Sequence, residues 1–510
     1  MKSSKPIIKK ISVDKKHIHF YGRFKDKSMG EDQNILWRVK ENNSFVDILH
    51  TKINNAEGNF LITINRYDRD RDRIYSPFKL EMRLGQDEFI PIDGPCYVTE
   101  LLDIALYNYD YPTSHTIKGL QVNMVYDAIK LGIGHAALNL NLPNIMISRD
   151  LGDSIPYSMD GEIFYFDRQE VEDFDRRVKE LSDNGIVVNL ILLNSRKWAG
   201  RTIDPHLEEE LIHPDYDPDG FISAFNVVTE RGLKRYKAFV EFVAERYTRP
   251  DQLYGRACGY IIGNEVNSQG VWSNAGDKTV KEYMEEYCIA LRTAYFAARK
   301  KYSQARVYIS LDHFWTLTHQ KNPQRFYKGK DVIDILNNIC HRDGNFDWGV
   351  AYHPYPENLF HADFWNDKTA IASFETGRIT FKNIEILPQY LSQQEYRYKG
   401  RIRHIILSEQ GFHSDENEES EMLQAAAYCL AYRKIAKIPG IESFILHAHV
   451  DNRDEFGLNL GLWRRDKSSD KPSQPGSPKP IYYVFKDIDG PKGEEVCLFA
   501  KEIVGEENWI

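Results

Sequence analysis

An eight-stranded parallel (β/α)8 barrel of the TIM type, an α/β fold preceded by a small N-terminal β-sandwich, is the fold class this 510-residue chain predicts. Three observations carry that prediction. From about residue 118 onward, short apolar strand-like runs alternate with helix-length amphipathic segments, and the alternation repeats eight times. No glycine-rich phosphate loop follows the first of those strands, as an open doubly wound sheet would usually carry. In the first hundred residues no helical period stands out; residues 18–23, 34–38, 60–66 and 78–83 are short, rich in β-formers and separated by polar turns. The division expected is a sandwich over residues 1–110 and a barrel over residues 111–510.

The barrel elements follow in order. Strands are expected over residues 118–122, 135–142, 186–193, 259–263, 305–311, 348–352, 402–407 and 443–447, and helices over 124–131, 168–182, 232–247, 280–302, 332–340, 383–394, 418–437 and from 481. The pair Asp160-Gly161 marks a tight hairpin turn, and Asn184-Gly185 closes the helix before the third strand. Residues 186–193 read as a strand buried on both faces, interrupted only by Asn189. The alternating charges of residues 66–73 (RYDRDRDR) read as a solvated loop or strand edge, and residues 467–479, rich in Ser, Pro and Lys, as a mobile loop.

Lys plus Arg total 66 against 75 Asp plus Glu, a net charge of −9, which disfavours a nucleic-acid or anionic-membrane surface. Aromatic residues at 13% argue against disorder and suit a protein that stacks flat ligands or sugar rings. Six scattered cysteines form no CxxC pair, so buried reduced thiols are expected rather than a zinc knuckle or redox motif. The N-terminus lacks the apolar stretch of a signal peptide and no run is long enough to span a bilayer, so a soluble, cytoplasmic protein is expected unless a leader has been removed.

In such a barrel the polar residues just past each strand face one mouth. The fourth strand ends in Gly263-Asn264-Glu265 and the seventh in Ser408-Glu409-Gln410-Gly411, which puts two carboxylates at one end on strands across from one another. Glycoside hydrolysis needs that arrangement: one acid to protonate the departing oxygen and one carboxylate to attack the sugar carbon.

The segment YIIGNEVN (260–267) resembles the fourth-strand Asn-Glu signature of the clan A, "4/7" retaining glycoside hydrolases, and IILSEQGF (405–412) resembles their seventh-strand nucleophile segment. The resemblance covers about residues 118–490 and points to a poorly characterised bacterial family. It implies that Glu265 is the acid/base, that Glu409 is the nucleophile, and that Asn264 binds the sugar hydroxyl beside the reacting carbon. Tyr352-His353-Pro354-Tyr355 is similar to the His-x-Tyr of the sixth strand, so His353 or Tyr355 would orient Glu409. The chain departs from the pattern at Asn139 and Asn141, where many members have Arg, at Asn194, where many have His, and at His447, where a Trp is common. Arg196 or Lys197 would replace the missing cation.

Further substrate contacts are expected from His313 after strand five and from His447, His449 and Asp451 after strand eight. Trp272, Trp315 and Trp463 are candidate sugar platforms, with packing as the alternative for each; Trp198 and Phe412 are weaker ones, and Tyr283, Tyr287 and Tyr295 are packing residues. The reading is a glycosidase acting on an oligosaccharide or polysaccharide without cofactor, metal, nucleic-acid or membrane partner. Two alternatives remain: a silent carbohydrate-binding barrel, and a metal-dependent hydrolase built on His353, His447 and His449.

Overall fold

The computed structural model describes residues 7–23, 37–41, 44–49, 59–84 and 88–509; residues 34–36 of one expected strand lie outside the described residues. Eight parallel strands close a barrel in sequence order. They are β1 (Lys118–Gln121), β2 (His135–Asn141), β3 (Val187–Leu193), β4 (Ala257–Ile262), β5 (Arg306–Leu311), β6 (Trp348–Tyr352), β7 (Ile405–Leu407) and β8 (Ile441–Leu446). Pairing of Gly119 with Ile445 completes the ring. The helices that follow them are α1 (Val125–Lys130), α2 (Arg168–Asp183), α3 (Glu230–Tyr247), α4 (Val280–Lys301), α5 (Gly329–Asp343), α6 (Ile386–Leu391), α7 (Glu418–Ile435) and α8 (Pro480–Asp487).

Local chemistry explains these boundaries. Asp167 caps α2 by accepting from the Glu170 N–H at 3.1 Å, and Val171, Phe174, Val178 and Leu181 form its buried stripe. Thr279 and Glu282 make a reciprocal capping box at the start of α4, whose last turn carries Arg299, Lys300 and Lys301. The turn Asp160-Gly161 has positive φ at both residues (51° and 75°), which is what a two-residue hairpin requires, and it joins Ser154–Met159 to Glu162–Asp167. Strand β7 starts later than its apolar pattern suggests. Arg403 is buried and donates to the carbonyls of Tyr396 and Phe346, which takes the preceding segment out of the ladder.

Ala137, Ile191, Ile261, Tyr308, Ala351, Ile406 and Ile445 fill the barrel interior. Side chains alternate with period two along a strand, so the next inward positions toward the C-terminal rim are Asn139, Leu193, Gly263, Ser310, His353, Ser408 and His447. A hydrophobic floor therefore carries a polar rim. This is the layer in which a barrel builds its site.

Before the barrel stand two four-stranded sheets. One runs Glu100–Leu101, Ile8–Val13, His17–Arg23, Asn59–Asn65, and the other Ser44–Leu49, Trp37–Glu41, Phe78–Leu84, Glu88–Cys96. Phe20 of the first meets Phe78 of the second edge-on at 5.2 Å.

Two expectations fail here. Within the charged run, residues 67–70 are exposed, but Arg66, Asp72 and Arg73 are buried. Arg66 holds Asp72 with two hydrogen bonds (2.9 and 2.6 Å), and Lys300 of α4 joins both Asp72 (3.0 Å) and Glu241 of α3 (2.7 Å). The buried part of the run is an ionic seam in which Arg66 pairs with Asp72, Arg73 with Glu41 of the N-terminal sheets, and Asp72 with Lys300 across the junction to the barrel helices. The Ser/Pro/Lys stretch is ordered at its end, where Pro475–Pro478 pairs with Trp463–Arg465. The cysteines behave as expected: all six are free, and all but Cys96 are buried. Among the described residues no helix is long and apolar enough to cross a membrane.

Candidate active site

Glu265 follows β4 with a left-handed backbone (φ 39°), and its N–H donates to Ser310 Oγ of β5 at 3.0 Å. A non-glycine residue in this region is uncommon and must be held there by its surroundings. The hold comes from Asp312, which is buried and accepts from Asn267 Nδ2 and Ser268 Oγ, the residues just after Glu265. Glu409 follows β7. Gly411, two residues on, allows the β7 and β8 loops to close up, since a Cβ there would stand 2.0 Å from the His447 carbonyl oxygen.

The two carboxylates converge. One oxygen of Glu265, one of Glu409 and a ring nitrogen of His353 all lie within 4.8 Å of one another. Their settings differ. Glu265 Oε1 meets His353 Nδ1 at 2.9 Å, and His353 Nε2 meets Ser408 Oγ at 3.0 Å. Burial pushes the Glu265 carboxyl up to about 7, against the lowering pull of His353 and with the help of the charges on Asp312 and Glu409. Burial also opposes a charge on His353, but Glu409 and Glu265 raise it overall. Glu409 instead collects donors: Tyr355 OH gives to Oε1 at 3.2 Å and Gln121 Nε2 to Oε2 at 2.8 Å. One carboxyl is desolvated beside an imidazole; the other is held between two neutral donors.

Behind Glu409 runs a chain of hydrogen bonds whose protons can be counted. Gln121 gives its N–H to Glu409, so its Oε1 is the atom that faces His447 Nδ1 at 2.7 Å. His447 Nε2 meets Glu455 Oε1 at 3.1 Å. Both partners are acceptors, so both ring nitrogens donate and His447 is an imidazolium. Burial works against that charge, yet Glu455 and Glu409 push His447 up to about 9. We expect nitrogen NMR to find both His447 nitrogens protonated at neutral pH and deprotonation near pH 9, with Glu455→Gln bringing the midpoint back toward about 6.5. A wild-type midpoint already near 6.5 contradicts the assignment.

The structure sorts the other expected residues. Asn264 is 9% exposed, and among the described residues no protein group engages its side chain, which leaves the amide for a ligand. Asn139 points inward from β2 and is exposed, which marks an open mouth. Asn141 and Asn194 serve the fold: Asn141 ties the Ser195 backbone, and Asn194 is fully buried and donates to the Leu211 and Ala224 carbonyls. Arg196 pairs with Glu208. His313 is buried against the Tyr355 carbonyl (3.1 Å), where burial lowers it to about 3, so it supports Tyr355 as a neutral ring.

Trp315 is fully buried and donates to the Phe374 carbonyl. Trp463 and His449 both donate to Asp127 of α1, at 2.9 and 3.0 Å, and lock the β8 loop onto the β1 loop. Asp451 is paired with Lys479 at 2.7 Å and lines a polar cavity of about 800 Å³ whose walls include neither Glu265 nor Glu409. His447 and His449 reach Gln121 and Asp127 respectively. Among the described residues, neither belongs to a group of three potential ligands within 4.8 Å, so the His353, His447, His449 metal centre is not assembled.

Trp272 does reach the mouth, and with company. Trp198 and Trp272 pack on the barrel-interior cluster, and Phe221 meets them edge-on at 6.2 and 5.6 Å. Phe456 closes the group at 6.0 Å from Trp272 and 6.5 Å from Phe221. Phe221 is 49% and Phe456 65% exposed, apolar surface that solvent does not favour. Gln121, Glu455, Phe221 and Phe456 escaped the sequence reading. Gln121 had a signal, a polar residue closing an apolar strand; the loop residues had none.

Among solved structures, the chain is similar to a hyperthermophilic β-glucosidase from Pyrococcus furiosus (16% identity, 74% of this chain and 86% of that one, TM-score 0.45). It is also similar to a family 39 glycoside hydrolase from Bacteroides cellulosilyticus (13%, 96% and 81%, 0.46) and a family 1 β-glucosidase from Thermotoga maritima (11%, 71% and 84%, 0.43). No curated protein matches the chain. A family model matches residues 110–510, the barrel and everything just described at its mouth, and by it the chain belongs to the family of unknown function DUF5722.

Proposed function

We propose that this protein is a glycoside hydrolase that cleaves a glycosidic bond with retention of configuration, with Glu409 as nucleophile and Glu265 as acid/base. The observation that carries the reading is the pair of carboxylates at the ends of β4 and β7, with oxygens within 4.8 Å of each other and opposite settings. Retaining enzymes place their two carboxyl groups about 5–5.5 Å apart, and inverting ones about 6.5–9.5 Å apart to admit a water between them. Nearest oxygens within 4.8 Å of each other support the closer arrangement and direct attack.

The residues divide the work as follows. Glu265, kept protonated to about pH 7 by burial, donates its proton to the departing oxygen. Glu409, with each oxygen fixed by a neutral donor, attacks the anomeric carbon and forms a glycosyl ester. Glu265, now ionised, takes a proton from the water that hydrolyses the ester. Asn264 is free to bind a hydroxyl beside the reacting carbon, and the Trp198, Phe221, Trp272, Phe456 group offers ring faces to a sugar or its leaving group.

The test is stereochemical. A set of 2,4-dinitrophenyl glycosides differing in sugar and anomeric configuration is offered to the protein, and the first-formed hemiacetal of whichever is hydrolysed is read by proton NMR. The expected product has the anomeric configuration of the substrate. The opposite anomer overturns the nucleophile assignment.

A further inference from the structure

Among the described residues, one other group holds three potential metal ligands within 4.8 Å, and it lies in the N-terminal sheets: Asp14, His17 and His19. Asp14 sits in the turn between the strands Ile8–Val13 and His17–Arg23, and the two histidines open the second strand. Positions i and i+2 of a strand share a face, so both rings project on the same side as the turn carboxylate. Ring centroids are 5.9 Å apart.

The surroundings prepare each ligand. Asp14 Oδ1 accepts from the N–H groups of Lys16 and His17, both at 2.7 Å, which fixes the carboxylate and leaves Oδ2 to face His19 Nε2 at 2.9 Å. His19 Nδ1 meets Thr63 Oγ1 of the adjacent strand Asn59–Asn65 at 3.0 Å. A hydroxyl both gives and takes a proton, so the ring can present either a proton or a lone pair toward Asp14 without losing that anchor. His17 Nδ1 stands 3.8 Å from Asp14 Oδ1. The nearest guanidinium, that of Arg66, touches the Asp14 carbonyl at 3.4 Å but is paired with Asp72.

We propose that Asp14, His17 and His19 form a binding site for a divalent first-row transition ion of the zinc class, with a fourth position open to water. Tetrahedral zinc with nitrogen and oxygen ligands at about 2.0–2.2 Å sets its ligand atoms about 3.3 Å apart. Asp14 Oδ2 stands 2.9 Å from His19 Nε2 and Oδ1 3.8 Å from His17 Nδ1, so each ring nitrogen lies near that spacing from one oxygen of the carboxylate. Two imidazoles with a single carboxylate select against magnesium and calcium. The bound ion replaces the proton between His19 and Asp14 and clamps the turn, through His19 and Thr63, to the neighbouring strand.

Zinc chloride titrated calorimetrically into the metal-free full chain tests this. Because Glu265, His353 and Glu409 form the other close group, the same titration is run on Glu409→Gln. One equivalent of zinc is expected to bind both chains alike, and its affinity to fall at least about tenfold in Asp14→Asn, His17→Ala and His19→Ala. In the wild type, the imidazole C–H NMR signals of His17 and His19 are expected to shift with added zinc. Unchanged affinity in the His17→Ala/His19→Ala double variant, or zinc shifts at His353 alone, overturns the site. Either outcome leaves the glycosidase reading untouched.

Discussion

Replacing Glu409 with alanine lowers turnover of an aryl glycoside by on the order of 10⁴–10⁶, the range seen when a covalent nucleophile is removed from an otherwise intact site. The size follows from what the side chain does. As the proposed nucleophile it would supply the bond that replaces the leaving group, with its charge facing the carbon where positive charge develops, a part nothing else in the mouth can take. Gln121 and Tyr355 only aim its two oxygens and are expected to matter less. The alanine variant also vacates a space of carboxylate size on the attacking face. Added azide or formate entering that space should restore turnover and give a product of inverted configuration. Turnover within tenfold of wild type would sink the assignment. So would a variant that loses only affinity, the behaviour of a carbohydrate-binding barrel without chemistry.

The barrel was legible in the sequence because its strands are buried on both faces and read as continuous apolar runs, with amphipathic helices between them. Residues 187–193 show why this works: every position is buried, and helix α2 before it carries its own cap. The carboxylates were legible for the same reason, since a Glu directly after an apolar strand has few bland explanations. Residues on loops were not. Trp315, Trp463 and Asn194 occupy positions after strands as Glu265 does, yet their side chains are consumed by the Phe374 carbonyl, Asp127 and two loop carbonyls. A sequence carries no period that tells a loop Trp facing the mouth from one that nails the loop down. The charged run at residues 66–73 failed on long-range pairing. Arg66 finds Asp72 within the run, but Asp72 and Arg73 also pair with Lys300 and Glu41, about 230 residues ahead and about 30 behind in sequence, so local alternation of sign gave the wrong environment.

For Glu265→Ala the expected loss depends on the leaving group, and that dependence is the diagnostic. Protonation of the departing oxygen matters when it leaves as an alkoxide and hardly at all when it leaves as dinitrophenolate. Activity toward a sugar leaving group should fall by about 10²–10⁴, the usual contribution of a general acid, while formation of the glycosyl ester from the dinitrophenyl substrate stays near the wild-type rate. The second step then lacks its base, so the ester accumulates and appears as a burst of dinitrophenolate. Azide needs no deprotonation, so it should relieve the block and yield a glycosyl azide of retained configuration, opposite to the rescue product of Glu409→Ala. The pH profile carries the same assignment. Burial holds the Glu265 proton to about pH 7, so kcat/KM for a poor leaving group should decline as pH rises through about 7, because the acid is lost by ionisation. For the dinitrophenyl glycoside, that alkaline limb should be absent from kcat/KM, which reports only the first step. If both substrates share the limb, or Glu265→Ala retains it, the ionisation belongs to another group and Glu265 is not the acid.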